Sequence, residues 1–133
     1  MSDPLPGGGV SVIVRSGDYE SAHYALALAS SALAVNKPAI LFFTMNGLRA
    51  LAGPPPTLDD WGRDALYKAR GVGDFETLLQ ACVELGGRFI VCEMGLRALG
   101  IDPAKLRNDV PFTVAGIVTL LEETTSGMHL LSL

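Results

Sequence analysis

The sequence predicts an α/β fold built on parallel strand–helix–strand units. Residues 10–15 (VSVIVR) and 39–44 (AILFFT) are short runs of β-branched, aliphatic and aromatic residues, with the length and composition of buried strands. Between them lies a much longer apolar segment, AHYALALASSALAV at 22–35, rich in alanine, the strongest helix former. The connections on either side are short. Strand, helix, strand in that arrangement is the signature of a parallel βαβ unit.

In chain order, Gly7 to Gly9 close an expected flexible tail over residues 1–9, and a single domain is expected over residues 10–133. The first strand runs into Ser16-Gly17-Asp18, where Asp18 suits a helix N-cap and Glu20 the first turn. The helix is expected over 18–36. It is apolar almost all round, so burial on more than one side is expected, the second side being a subunit contact. Lys37-Pro38 ends it, and residues 39–44 form the second strand. A short helix over 45–52 is broken by Gly53-Pro54-Pro55-Pro56. Residues 54–73 are the least regular part, read as a functional loop, and contain Trp61, Tyr67, Arg63, Lys68 and Arg70. Asp74 then caps a helix that places Phe75, Leu78, Leu79, Cys82 and Val83 on one face and ends at Gly86-Gly87. Residues 88–92 (RFIVC) form a third strand, and 93–99 a short helix closed by Gly100. Residues 101–111 read as a loop with a weak fourth strand near 108–110. A helix over 112–123 and a last strand over 128–131 (MHLL) follow.

Composition removes several classes. The 133 residues are 49% hydrophobic and only 18% charged, with mean hydropathy +0.35. Such a chain is not disordered, and its scarcity of charge predicts apolar surface covered by another copy. Ten basic against fourteen acidic residues give a net charge of -4, the wrong sign for a nucleic-acid partner. Met1-Ser2-Asp3-Pro4 lacks the basic and apolar regions of a secretory signal. The most apolar stretch, 22–35, is too short for a membrane span. Two cysteines in such a chain are expected as thiols in a reducing cytoplasm.

In an open parallel sheet, ligands and reactive groups collect beyond the carboxyl ends of the strands. That rule selects Ser16-Gly17-Asp18, Thr44-Met45-Asn46 and Cys92-Glu93. Cys92 is the only strong nucleophile among them. It closes a strand and precedes a helix, where the helix dipole and free amides favour a thiolate. Glu93 opposes this with its charge, and Arg97, four residues on, is placed to pair with it. Cys82 lies mid-helix on an apolar face and is expected to pack in the core. It falls towards the other end of the sheet, too far for a bridge to Cys92. His23, in the second turn of the first helix, is a candidate to activate the thiol or bond a substrate, or else lines an interface. His129 is expected to be structural. No zinc spacing, phosphate-binding loop or dinucleotide glycine fingerprint is present, so no metal or cofactor is expected.

A strand ending in RSGD, the alanine-rich helix, AILFFTMNGL, RFIVCEMGLRALGI and FTVAGIVTLLEETTSGMHLLSL occur in that order. Together they resemble the DsrE/DsrF-like family of sulfur-relay proteins over residues 10–131. The resemblance implies a three-layer α/β/α sandwich with a five-stranded, mainly parallel sheet, assembled as homo- or hetero-oligomers. It also implies that Cys92 carries sulfane sulfur as a persulfide, with donor and acceptor proteins supplying the other thiols. Asp18, His23, Asn46, Glu93 and Arg70 are then candidate substrate-binding residues, with Arg70 and Lys68 supporting an anionic sulfur species while the 54–73 loop shields or exposes the cysteine. Two alternatives stay open. One is a small-ligand-binding module with Trp61 or Tyr67 as an aromatic wall; the other is a structural oligomer subunit whose Cys92 only packs.

Overall fold

A computed structural model describes residues 8–133. Most of the expected N-terminal tail, residues 1–7, lies outside the described residues. Gly9 already belongs to the sheet region, its carbonyl accepting the His129 amide at 3.0 Å.

Five strands, β1 (Val10–Val14), β2 (Ala39–Phe43), β3 (Arg88–Cys92), β4 (Phe112–Ala115) and β5 (His129–Ser132), form one sheet in the order β4-β3-β2-β1-β5. Every neighbouring pair is parallel. The helices are α1 (Tyr19–Ala34), α2 (Arg63–Ala69), α3 (Phe75–Glu84), α4 (Glu93–Leu99) and α5 (Ile117–Glu123), with 3-10 helices at Met45–Leu51 and Pro103–Lys105. Local chemistry sets the ends as the sequence predicts. Asp18 and Asp74 accept from the amides of Ser21 (3.2 Å) and Thr77 (2.9 Å), and Gly100 closes α4 in the left-handed region at φ 66°, which a residue with a Cβ rarely adopts.

The connection order decides which face each helix covers. From β1 to β4 the chain steps across the sheet in one direction, and right-handed crossovers deliver all their helices to the same face. There α1 packs on β1, β2 and α3, and α4 on the 3-10 helix Met45–Leu51. The step from β4 to β5 runs back across the sheet, so α5 lands on the opposite face. Two cores result. The larger holds Val12, Val14, Leu41, Phe43, Phe89 and Val91 under α1, α3 and α4. The smaller holds Ile40, Phe42, Ile90 and Cys92 under Leu120 of α5. Strand alternation assigns neighbours in sequence to opposite layers.

Two expectations need correction. The fourth strand is Phe112–Ala115, not 108–110, and the helix begins at Ile117 rather than 112. The run FTVAGIVTLL has only Thr113 and Thr119 as polar residues, too few for its period to distinguish the two forms. Gly116 divides it as the N-cap of α5. Residues 54–73 are not irregular throughout, since α2 occupies their second half. Helix α1 buries one side within the chain, through Tyr19, Ala22, His23, Ala25, Leu26 and Ala29, and leaves Tyr24 exposed on the side for which a subunit contact is expected.

The 101–111 segment is tied down by one buried cation. Arg107, with a side chain 3% exposed, forks onto Glu76 at 2.6 and 2.8 Å and onto Asp109 at 2.7 and 2.8 Å. Its amide donates to the Leu51 carbonyl. The hydrogen bond from Arg107 holds the Asp109 carboxyl down at about 2, against roughly 3.9 in an unfolded chain. A depressed carboxyl stabilises the fold fully above its unfolded value and loses that contribution as pH falls through its folded one. Urea midpoints should therefore drop between about pH 4 and pH 2, and Asp109→Asn should flatten that part of the profile. Arg107→Met should cost about 2 kcal/mol, because the carboxylates left behind are partly solvated. Gly47→Ala should cost about 3 kcal/mol or more in the same assay, since an added Cβ would lie 1.8 Å from the Val14 carbonyl oxygen.

Candidate functional site

The carboxyl edge of the sheet carries the three places that the topology rule selects, and they differ in what remains free. At Ser16-Gly17-Asp18 the polar groups are consumed. The Asp18 carboxylate caps α1, the Ser16 hydroxyl oxygen accepts the Asp18 amide at 3.1 Å, and the Gly17 carbonyl accepts the Asp59 amide at 2.8 Å. At Thr44-Met45-Asn46, Asn46 is exposed, while the Thr44 hydroxyl is buried with no hydrogen-bond partner. At Cys92-Glu93 the thiol has no solvent exposure. Glu93 points outward and accepts from Arg97 at 2.6 Å, the i,i+4 pair expected from sequence.

Cys92 occupies the N-cap position of α4 but makes no capping hydrogen bond. Its side chain lies in the smaller core, on the α5 side of the sheet. Val91 pairs with Phe43 and Cys92 with Ala115, so Thr44 is the next residue beside Cys92 on the adjoining strand. Beside Thr44 an apolar groove of about 240 Å³ opens between the ends of β1 and β2 and the helices α4 and α5, and Cys92 is not among the residues that line it. Ile13, Phe42 and Leu120 line its base, and Met94 and Ile117 its sides. Arg15 and Thr44 stand where β1 and β2 leave the sheet. Sequence reasoning missed this groove because its residues come from distant segments. The period of two along β1 and β2 was the available signal, since it puts Ile13 with Arg15 and Phe42 with Thr44 on one face.

His23 does not reach Cys92. It lies on the inner side of α1, in the opposite layer, and its Nε2–H donates to the Gly73 carbonyl at 2.8 Å. Its ring packs 5.5 Å from Tyr19 and 5.2 Å from Tyr67. The 54–73 segment lies over the same layer, so it neither shields nor exposes the cysteine. Arg70 and Lys68 are exposed there, Lys68 within 3.7 Å of Asp74, and neither approaches the thiol. Trp61 and Tyr67 form no open wall: both stack edge-on against Tyr19, and Trp61 also against Phe75. The Tyr19 hydroxyl donates to Asp64 at 2.7 Å. Burial and that carboxylate push its pKa well above the usual phenol value.

Cys82 sits in the larger core, its thiol directed at the Leu26 carbonyl at 3.6 Å. Burial pushes its pKa up to about 12. The sheet separates the two sulfurs, and both are free thiols. No helix among the described residues is long and apolar enough to cross a membrane.

The fold is thus a parallel α/β/α sandwich, with a cysteine closing its third strand. A family model described as the DsrE/DsrF-like family matches residues 9–133. The chain belongs to that family. Among solved structures it is similar to the ychN protein of E. coli, at 17% identity and TM-score 0.61, over 94% of this chain and 99% of that one. It is also similar to MTH1491 of Methanobacterium thermoautotrophicum, a protein of unknown function, at 20% identity and TM-score 0.51, over 96% and 99%. At these identities the likeness is one of fold. No curated protein matches the sequence.

The contrast between the layers gives a direct expectation for Cys82. In the folded protein it should resist iodoacetamide at pH 8, where a thiol with a pKa near 12 is almost wholly protonated. Mass mapping after brief alkylation checks this, and modification of Cys82 in the native state would contradict its placement.

Proposed function

We propose that this chain is an intracellular sulfur-relay protein that carries sulfane sulfur as a persulfide on Cys92 and works as an assembly of identical copies. The observation that carries the reading is the position of Cys92, at the carboxyl end of β3 in a member of the DsrE/DsrF-like family. Apolar side chains left uncovered on α5 and β5 (Ile117, Val118, Leu121 and Leu130) support self-association through that layer.

The chemistry needs only one cysteine in this chain. The Cys92 thiolate attacks the outer sulfur of a donor persulfide, R–S–SH. The donor S–S bond breaks as the new Cys92 S–S bond forms, R–S⁻ departs, and the proton remains on the transferred sulfur. Attack by an acceptor thiolate on that outer sulfur reverses the sequence and regenerates Cys92. No net oxidation occurs. Since the thiol is covered by α5, loading requires this seven-residue helix to shift.

The complete burial of Cys92 favours a second reading, a structural subunit whose cysteine fills the smaller core. Intact mass after incubation with inorganic polysulfide separates the two. The relay reading expects a reducible gain of one sulfur atom, mapped to Cys92, lost in Cys92→Ser and retained in Cys82→Ser. Equal loading of both variants, or a native Cys92 that takes up neither sulfur nor alkylating agent, would leave the structural reading standing.

A further inference from the structure

We infer that α5 is a hinged lid over Cys92, latched at its carboxyl end by the Arg88–Glu123 pair and loose at its amino end, which swings away to uncover the thiol. As a control on sulfur loading the inference rests on the relay reading of Cys92; as a movement of the helix it does not.

Helix and strand run against each other. Arg88, Ile90 and Cys92 share the face of β3 that α5 covers. From Arg88 to Cys92 the strand extends about 13 Å at roughly 3.3 Å per residue. The seven residues of α5 span about 10 Å at roughly 1.5 Å per residue. Glu123, the last residue of α5, bonds Arg88 at one end of this span. At the other end Cys92 pairs with Ala115, and Gly116, the next residue, starts the helix. The thiol therefore lies beside the first turn of α5, and the latch beside the last.

The two ends are held unequally. The Arg88 guanidinium forks onto both oxygens of Glu123 at 2.8 and 3.0 Å and donates to the Thr113 hydroxyl at 2.7 Å. One residue further on, the Thr124 hydroxyl meets that of Ser11 at 2.8 Å and donates to the Leu120 carbonyl at 2.7 Å. At the amino end Gly116 supplies no side-chain cap, and Ile117 and Val118 are exposed. Open space surrounds the Gly116 Cα on its side-chain side. The apolar groove lies alongside, lined by Ile117 and Leu120, so packing at this end is incomplete. Leu120 is the one buried residue of the helix. Local opening begins where the fewest contacts must break, which is the amino end, with Glu123 and Thr124 as the pivot.

Labelling of the native protein with N-ethylmaleimide, read by peptide mass, follows the opening without any sulfur chemistry. Glu123→Gln should speed labelling of Cys92 about fivefold, the scale of one partly exposed ion pair. Arg88→Gln should do at least as much, and the double variant should label no faster than Arg88→Gln alone, because the two residues form one latch. Gly116→Ser should slow labelling about threefold by narrowing the backbone freedom of the link. Cys82 should stay unlabelled throughout. None of these changes alters Ile117, Val118, Leu121 or Leu130, so self-association through that surface is kept. The lid is overturned if the latch variants leave the Cys92 rate unchanged, if Gly116→Ser labels as fast as the unaltered chain, if Cys82 labels in step with Cys92, or if Cys92 is inert in every variant. Polysulfide uptake is scored separately on the same variants. Uptake that ignores the latch defeats the lid and keeps the relay; latch-dependent labelling without uptake keeps the lid and defeats the relay.

Discussion

The single reversed step in the strand order governs most of this molecule. Because β1 to β4 advance one way, right-handed crossovers stack α1, α3 and α4 on one face of the sheet. Only the return from β4 to β5 can place a helix on the other, and that helix is seven residues long. The two faces are thus covered unequally. One gains a deep aromatic and aliphatic core sealed by the 57–73 segment; the other gains a single inward leucine, Leu120, and keeps its helix surface apolar towards solvent.

The same asymmetry separates the two cysteines. They stand ten positions apart in the sequence, yet alternation along β3 sends Cys92 to the thin layer while α3 holds Cys82 in the thick one. Burial is complete for both, so exposure does not distinguish them. What differs is the depth and rigidity of the cover. Cys82 lies between two packed helices and offers its thiol to a helix carbonyl. Cys92 lies under one short helix, next to a groove and an unsatisfied hydroxyl. Local opening is cheapest where few buried apolar contacts must be broken, and that describes the Cys92 side.

How much of this was legible beforehand depended on whether the signal was local. The strands at 10–14, 39–43 and 88–92, the caps Asp18 and Asp74, the Gly100 stop and the Glu93–Arg97 pair all follow from near neighbours, and the structure has them. The division of 112–123 into strand and helix was hidden, because a run whose only polar residues before Glu122 are two threonines gives no clear period to read. The site suffered differently. His23 is placed near the carboxyl edge by helix position alone, but the choice of face depends on crossover handedness and on the sheet between. Arg15, Thr44 and Leu120 converge only through the parallel register of β1, β2 and the returning α5. The sulfur chemistry of Cys92 came into view through family resemblance rather than from any local pattern.

The pairing of Val10 with His129 bears on the order in which the molecule is made. Strand β1 is an interior strand whose outer neighbour is the fifth of the five strands in chain order, so one of its edges stays bare while the intervening residues leave the ribosome. Long-range pairing of this kind is slow to form. An open row of amides and carbonyls beside Val12 and Val14 is, for that interval, a template for the wrong chain. The same late closure brings the chain to Arg15 and Ser16, whose amides hold Leu133, and fixes α5 over Cys92 through the Ser11–Thr124 contact. Cover over the thiol is therefore acquired only after strands β1 to β4 have been made.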